Sequence, residues 1–519
     1  MKTKKVQALL MATLLALSTF LSGCGNAEPK SSEVSKSSES TVEKSGEEVS
    51  KEKPEEYPVV SWYMANSEKN VIDQELVEEA ANKILREAVG VELKFYFIDN
   101  GSFAEKVNVM MNSGEEFDIM TGGSKAKFGP TYNKGALLDI TDLLEEYGQN
   151  VLAKADERAW ETVTRQGRIY AIPNQMPYAS ENVLGFRKDL VEKYNLNLEG
   201  ITCIDDLIPF FDAILENEPG VKPISGASGG TSMDVFLKDA KVGNYSPTGE
   251  ELVVFDYEDQ RMESLLEQDE YVGVLRQLHD LYVKGYIDKD VLSRTNDTDS
   301  IKAGKAATYG GSAEYTGGSK MTALYGVESL EALISRDEIT TDSMCSVLTY
   351  ISQSSKQPEN AMKVINEIWG NPELLNLLAY GIEGVHYTVT ANAGTDHPSV
   401  LPKSGEEVRW TVYHNWLGPL FDQWDSPWNS AEALKGMQER NVSAQTSQII
   451  GYQFNTEPVK TQAAEVKAIW KEVIAVLKTG TMPDFDKYLE ETKQRLVAAG
   501  LNDMINEAQK QYEEWLKMN

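Results

Sequence analysis

Residues 167–194 read GRIYAIPNQMPYASENVLGFRKDLVEKY. Gly167-Arg168 marks a turn, and Ile169 to Ile172 is a short apolar run of strand type. Pro173 and Pro177 stop regular pairing, because neither offers a backbone N–H. A polar loop with Tyr178, Ser180, Glu181 and Asn182 follows. Val183 to Phe186 is a second strand-like run, and Asp189 to Tyr194 starts a helix that stops near Asn195. One strand ends, a polar loop intervenes, and a second strand leads into a helix.

Upstream, Pro58 to Met64 predicts a strand and Asp73 to Val89 an amphipathic helix, with Val77, Ala80, Ile84 and Ala88 on one face and Gly90 beyond its end. Val91 to Phe95 alternates as a strand, Gly101 to Ser113 reads as a helix, and Phe117 to Met120 as a short strand. This β-α-β-α-β order implies a parallel sheet with right-handed crossovers. Ligands collect at the carboxyl ends of such strands. Here those ends are 65–67 and 121–125, the latter carrying Gly122-Gly123, which is either a plain tight turn or part of a site.

Several segments together resemble the bacterial extracellular solute-binding proteins that serve ABC importers, in their carbohydrate-type, larger lipoprotein branch. Gly167, Tyr170, Ile172 and Pro173, then Arg187-Lys188-Asp189-Leu190, match the family's first crossover. Phe117-Asp118-Ile119 with its small-residue loop, Gly135 to Ile140, Gly285 to Asp288, and Ala303 to Gly311 match further family turns and strands. Ser346 to Ile351 with the helix from Glu359 to Trp369 is similar to the second crossover, and Gly381 to Tyr387 to a signature of the lipoprotein branch. Ala499-Gly500-Leu501, Glu507 and Gln509 resemble the family's last helices.

The resemblance covers about 58–519. It implies a two-lobe α/β Venus-flytrap fold with hinge strands and a helical C-terminal end. Lobe 1 is expected to hold 58–180 and 346–405, and lobe 2 to hold 181–345 and 406–519. Strand segments around 181–186, 343–348 and 402–410 would join them. It implies capture of a sugar or oligosaccharide between the lobes and delivery to the transmembrane subunits of a permease, with no catalysis, no cofactor, no metal and a monomeric chain. The implied ligand groups are Trp62, Asn66, Gly123, Ser124, Tyr178, Ser180, Glu181, Tyr309, Gly311, Glu314, Tyr315, Glu383, Trp410 and Trp416. Glu314 and Tyr315 fall where relatives carry an aromatic onto the ligand; Tyr309 and Tyr315 fit core packing equally well. Glu383 and His386 are either ligand groups or a buried pair that fixes the hinge. Trp410, Trp416, Trp424 and Trp428 are four of the nine tryptophans, set within twenty residues. Tryptophan suits sugar rings, whose C–H faces pack on π faces; two of the four are expected to be core.

The first residues point outside the cell. Lys2, Lys4 and Lys5 precede an apolar run from Val6 to Phe20, too short to span a bilayer. Leu21-Ser22-Gly23-Cys24 resembles a lipobox, which implies cleavage before Cys24 and lipid on its thiol. Residues 25–57 are rich in Ser, Glu, Lys and Pro and read as a disordered tether, which at full extension reaches on the order of 100 Å. Lipid alone would then hold the body at the outer face of the membrane.

Fifty basic side chains against 81 acidic ones leave a net charge of −31, and −34 once the three signal lysines are gone. Counterion release at nucleic acid needs basic patches, so that class of partner is excluded. Cys203 and Cys345 are too far apart for a metal framework and are either two thiols or one disulfide. Gly226-x-Ser228-x-Gly230 matches the nucleophile-elbow pattern, though no acid–histidine partnership accompanies it; a flexible loop is the plainer reading. Asp297 and Asp299 lack the rest of a calcium loop and read as the start of a helix. Two other classes stay open: a surface glycosidase using paired carboxylates, and a sensor or adhesin that keeps the receptor fold.

Overall fold

The structure, a computed structural model, describes residues 56–518 apart from 125, 241–243, 246–251, 311–314, 337 and 428. Two mixed sheets organise it. The strands are β1 (Val59–Ala65), β2 (Glu92–Ile98), β3 (Ile119–Thr121), β4 (Ile172–Pro173), β5 (Glu181–Arg187), β6 (Lys222–Ile224), β7 (Ala306–Gly310), β8 (Ser329–Arg336) and β9 (Leu348–Ile351). The first sheet has the order β2-β1-β3-β9-β4 and the second β8-β5-β7-β6.

In the first sheet β1 pairs parallel with both β2 and β3, as the β-α-β-α-β pattern dictates. The sheet is not parallel throughout. β9 runs antiparallel to β3 and β4, because by this strand the chain re-enters the sheet after its excursion through the second one. Helix α1 (Gln74–Ala88) packs on β2 through Val77, Ala81 and Leu85. The expected face was Val77, Ala80, Ile84 and Ala88; Ala80 and Ile84 lie at its margin and Ala88 is exposed. α2 (Phe103–Ser113) ends at Gly114, whose φ of +69° is the left-handed cap that glycine adopts without penalty.

Each sheet has its own core. The first core is built from 60–172 and 347–417, the second from 184–332 and 449–512. The sequence division placed everything after 405 in lobe 2. Instead Trp410, Val412, Trp416 and Leu417 are buried in the first core. Helix α3 (Ala431–Ser443) touches the turn at Leu420–Asp422, and Arg158 donates to its Asn441 carbonyl. The last three helices, α4 (Lys460–Thr479), α5 (Phe485–Ala498) and α6 (Leu501–Met518), close the second core. Val466, Trp470, Val473 and Leu477 of α4 form its buried stripe, and Gly480 at φ +69° ends it.

A small third cluster lies where the chain passes between the cores. It joins Ala159, Tyr178, Ala179, Ile339 and Met344, with Met176, Ala444 and Ile450 packed against it. Each passage contributes: Tyr178-Ala179 from the first, Ile339 to Met344 from the second, Ala444 to Ile450 from the third. Ile339 exchanges backbone bonds with Gln445 and Ser447, both 2.8 Å. The third passage is therefore at about 441–451, not at 402–410. Cys203 and Cys345 are free thiols; burial pushes the Cys345 thiol up to about 12.

Candidate functional site

The carboxyl ends of β1 and β3 are built tightly, and most of the expected ligand groups there are spent on structure. Trp62 is fully buried and donates its indole N–H to Thr121 Oγ1 at 2.9 Å. Thr121 Oγ1 in turn donates to the Trp416 carbonyl at 3.1 Å. Asn66 is buried; its Nδ2 donates to the Thr411 carbonyl, and its Oδ1 accepts from Ser67 N–H and Asn70 Nδ2. Gly123 has φ +83°, and a Cβ there would stand 2.2 Å from the Ser346 carbonyl, so only glycine fits this close approach. Beyond it Ser124 is exposed, its N–H bonded to the same carbonyl at 2.9 Å.

These bonds carry the 410–416 segment across the strand ends. Trp410 is buried against Phe95 and Phe97, with its indole N–H donated to the Leu378 carbonyl at 2.9 Å. Trp416 is also buried, edge-on to Phe103. Neither offers a face to a ligand. Tyr413 is half exposed and leans on Trp416 at a centroid distance of 5.7 Å and 39°. Asn415 beside it donates its Nδ2 to Met176 Sδ at 2.8 Å, and its carbonyl accepts from Asn174 Nδ2. Tyr413 is not among the ligand groups expected from the sequence, where the tryptophans of this stretch stood out.

At the first passage, Tyr178 is buried and donates its hydroxyl to the Asn174 carbonyl at 2.7 Å. Burial pushes its phenol well above the ordinary range. Asn441 of α3 accepts from Tyr178 N–H at 2.8 Å and donates to the Met176 carbonyl at 2.7 Å. Ser180 is half-buried. Glu181 opens β5 as a buried carboxylate; its Oε2 accepts from Tyr315 N–H at 2.8 Å and faces Arg440 Nη1 at 3.8 Å.

In the second sheet, Tyr309 is fully buried, donates to the Phe186 carbonyl at 3.0 Å and meets Ser329 Oγ at 2.5 Å. Burial pushes its hydroxyl up to about 12. Tyr309 is core. Tyr315, just beyond the carboxyl end of β7, is half exposed. Gly311, Glu314 and Trp428 lie outside the described residues, as does Cys24. Glu383 is exposed and makes no pair with His386. The buried His386 instead accepts Ile382 N–H on Nδ1 and sets Nε2 3.2 Å from Asp73 Oδ2. Arg409 holds the Asp73 carboxyl below the usual range. That triad ties α1 to the segment before Trp410.

The Gly226-x-Ser228-x-Gly230 segment forms a β-hairpin, with Gly226-Ala227 paired to Gly230-Thr231 and Ser228-Gly229 at its tip. It is not a strand–turn–helix elbow. Among the described residues no cluster of His, Cys, Asp and Glu could hold a metal ion, and no helix is long and apolar enough to cross a membrane.

Among the described residues, two separate cores and one small cluster where the chain passes between them give a two-lobed α/β architecture. The chain belongs to the family described as bacterial extracellular solute-binding protein, whose family model matches residues 66–326. Residues 448–517 match a domain of unknown function, DUF3502. A carbohydrate ABC transporter substrate-binding protein of Streptococcus pneumoniae is 26% identical over 529 aligned positions, covering 100% of this chain and 99% of the relative. The crystal structure of the N-glycan transport solute-binding protein NgtS from Streptococcus pneumoniae superposes with a TM-score of 0.72 at 25% identity, covering 89% of this chain and 99% of that one. NgtS in complex with Man5GlcNAc gives 0.60 at the same identity and coverage. The protein is a bacterial extracellular solute-binding protein, a non-enzymatic class.

Proposed function

We propose that this protein captures an oligosaccharide between its two lobes and hands it to the transmembrane subunits of an ABC importer. The observation that carries this reading is the pair of exposed aromatics: Tyr413 braced on Trp416 beyond the strand ends of the first sheet, and Tyr315 beyond β7 of the second. Sugar rings take such faces, while Ser124 and neighbouring polar backbone supply hydroxyl partners. The full-length similarity to a carbohydrate substrate-binding protein points to the same ligand class.

The lobes are 58–180 with 346–443, and 181–338 with about 447–519, joined through the third cluster. Each moves as a body about that cluster. Cys24 carries the lipid that holds the chain at the outer face of the membrane, where the permease sits.

Calorimetry and thermal shift with Man5GlcNAc, an α-glucan, a fructan and an oligogalacturonide test this. At ~100 times its Kd, a true ligand adds about 2.7 kcal/mol to stability. A folded protein that neither binds nor is stabilised by any of the four contradicts the oligosaccharide reading.

A further inference from the structure

The turn that presents Tyr315 is held by two buried carboxylates from adjacent strands. Glu181 opens β5 and Glu331 lies in β8; in the register of these strands Glu181 pairs with Arg336 and Glu331 with Gly185. Glu181 Oε2 accepts Tyr315 N–H at 2.8 Å. Glu331 Oε2 accepts three donors: Thr316 N–H at 2.7 Å, Thr316 Oγ1 at 3.1 Å and Gly318 N–H at 3.0 Å. The chain can wrap that oxygen because Gly317 and Gly318 have φ of +64° and +101°. A Cβ at Gly318 would lie 2.1 Å from the Ser329 carbonyl. Successive N–H groups converging on one anion form a nest. Here the anion is the protein's own side chain.

Anchoring a loop does not require this. A neutral acceptor would close the same turn with a smaller desolvation penalty. Glu331 is only 2% exposed, and its Oε1 has no hydrogen-bond partner among the described residues. Such an unmatched buried oxygen is uncommon in native proteins and calls for a reason. Charged acceptors give shorter and stronger bonds, and two of them fix the peptides on both sides of the Tyr315 α-carbon. The side chain left outside is Tyr315, 47% exposed.

We propose that Glu331 and Glu181 are positioning residues for ligand binding: they pin the consecutive N–H groups of Tyr315 and Thr316, and so pre-set the Tyr315 ring as a face for a sugar. The proposal rests on Tyr315 being a cleft aromatic. Pre-organisation of this kind raises affinity by removing the ordering penalty at the moment of binding. Arg440, on the helix that packs with the first lobe, stands 3.8 Å from Glu181 Oε2, so one end of the clamp lies at the hinge.

The test is a double-mutant cycle read as Kd by calorimetry, using whichever of the four glycans the full chain binds. Tyr315→Ala is expected to weaken binding roughly tenfold, as loss of a stacked ring does. Glu331→Ala should weaken it to a similar degree, and the double variant no more than either alone, because Glu331 acts through Tyr315. Glu331→Gln keeps the shape and one acceptor oxygen, so it should recover most of the affinity; it also serves if Glu331→Ala does not fold. Faster amide exchange at Thr316 and Gly318 in Glu331→Gln should accompany its residual loss. Losses that multiply in the double variant, or an unchanged Kd in folded Glu331→Ala, overturn the proposal. If Tyr413→Ala weakens binding and Tyr315→Ala does not, the positioning role falls while the cleft reading stands. If the full chain binds none of the glycans, the cleft reading falls and this proposal with it.

Discussion

Tyr413 and Trp416 sit three residues apart and have opposite work. Tyr413 is exposed, and is proposed as a ligand face; Trp416 is buried between it and Phe103. Tyr413→Ala should therefore weaken glycan binding by about 1–3 kcal/mol, taking base–aromatic stacking as the calibrated analogue, with little change in melting temperature. Trp416→Ala should do the reverse first: it empties a core site, at a loss of about 3–5 kcal/mol of stability. Chemical denaturation beside calorimetry separates the two. Equal Kd losses without destabilisation would show both rings to be ligand faces. The residue types at the site were legible in the sequence, but their direction was not. Trp62, Trp410 and Tyr309 have the chemistry of sugar-binding side chains and are buried, because burial is decided by strands far away in the chain. Asp118 is a similar case. Its motif marks the strand correctly, yet its carboxylate is engaged by Ser61, Ser355 and Gln357.

At the scale of elements, the hairpin 226–231 meets α4 through Asp234. Its Oδ1 accepts Thr231 N–H at 3.1 Å, and Lys478 Nζ lies 3.7 Å from Oδ2. Burial outweighs these partners and pushes the Asp234 carboxyl up to about 6. The raised value means that folding takes up a proton at intermediate pH. The resulting stabilisation is complete below the unfolded value near 3.8 and is lost as pH rises through about 6. Asp234→Asn should then raise the melting temperature at pH 7 by removing a penalty of at most about 3 kcal/mol, with the gain shrinking toward pH 4. A pH-independent difference between variant and wild type from pH 4 to 7 refutes that account. Elements of this kind were the most readable part of the chain. α2, read as 101–113, and the helix ending at Asn195 with φ +52° lie where periodicity and caps put them. The antiparallel run of β9 was not readable, since strand direction follows from where the chain has been rather than from its local pattern. Nor was the third passage, where Ile339 bonds to Gln445 and Ser447 without any turn motif to announce it.

For the whole molecule, two expectations can be tested, the first resting on the lipobox-like Leu21-Ser22-Gly23-Cys24 and the second on the two cores and their small connecting cluster. The first is where it is held. Cys24→Ala should release the protein from membranes or leave it unprocessed, with no lipid incorporated on metabolic labelling. A variant that stays membrane-bound after the signal is cleaved refutes the lipid anchor. The second is motion. A ligand that touches Tyr413 on one lobe and Tyr315 on the other binds the closed arrangement better, and it shifts the population by that difference alone. Moving a 1:99 equilibrium to 99:1 takes about 5.5 kcal/mol of preference, which a micromolar ligand at about −8 kcal/mol can supply. Small-angle X-ray scattering of the body from residue 56 onward, with and without a glycan of proven affinity, measures this directly. A radius of gyration that falls on adding the glycan is the predicted result; superimposable curves at saturating glycan contradict the closing of the two lobes.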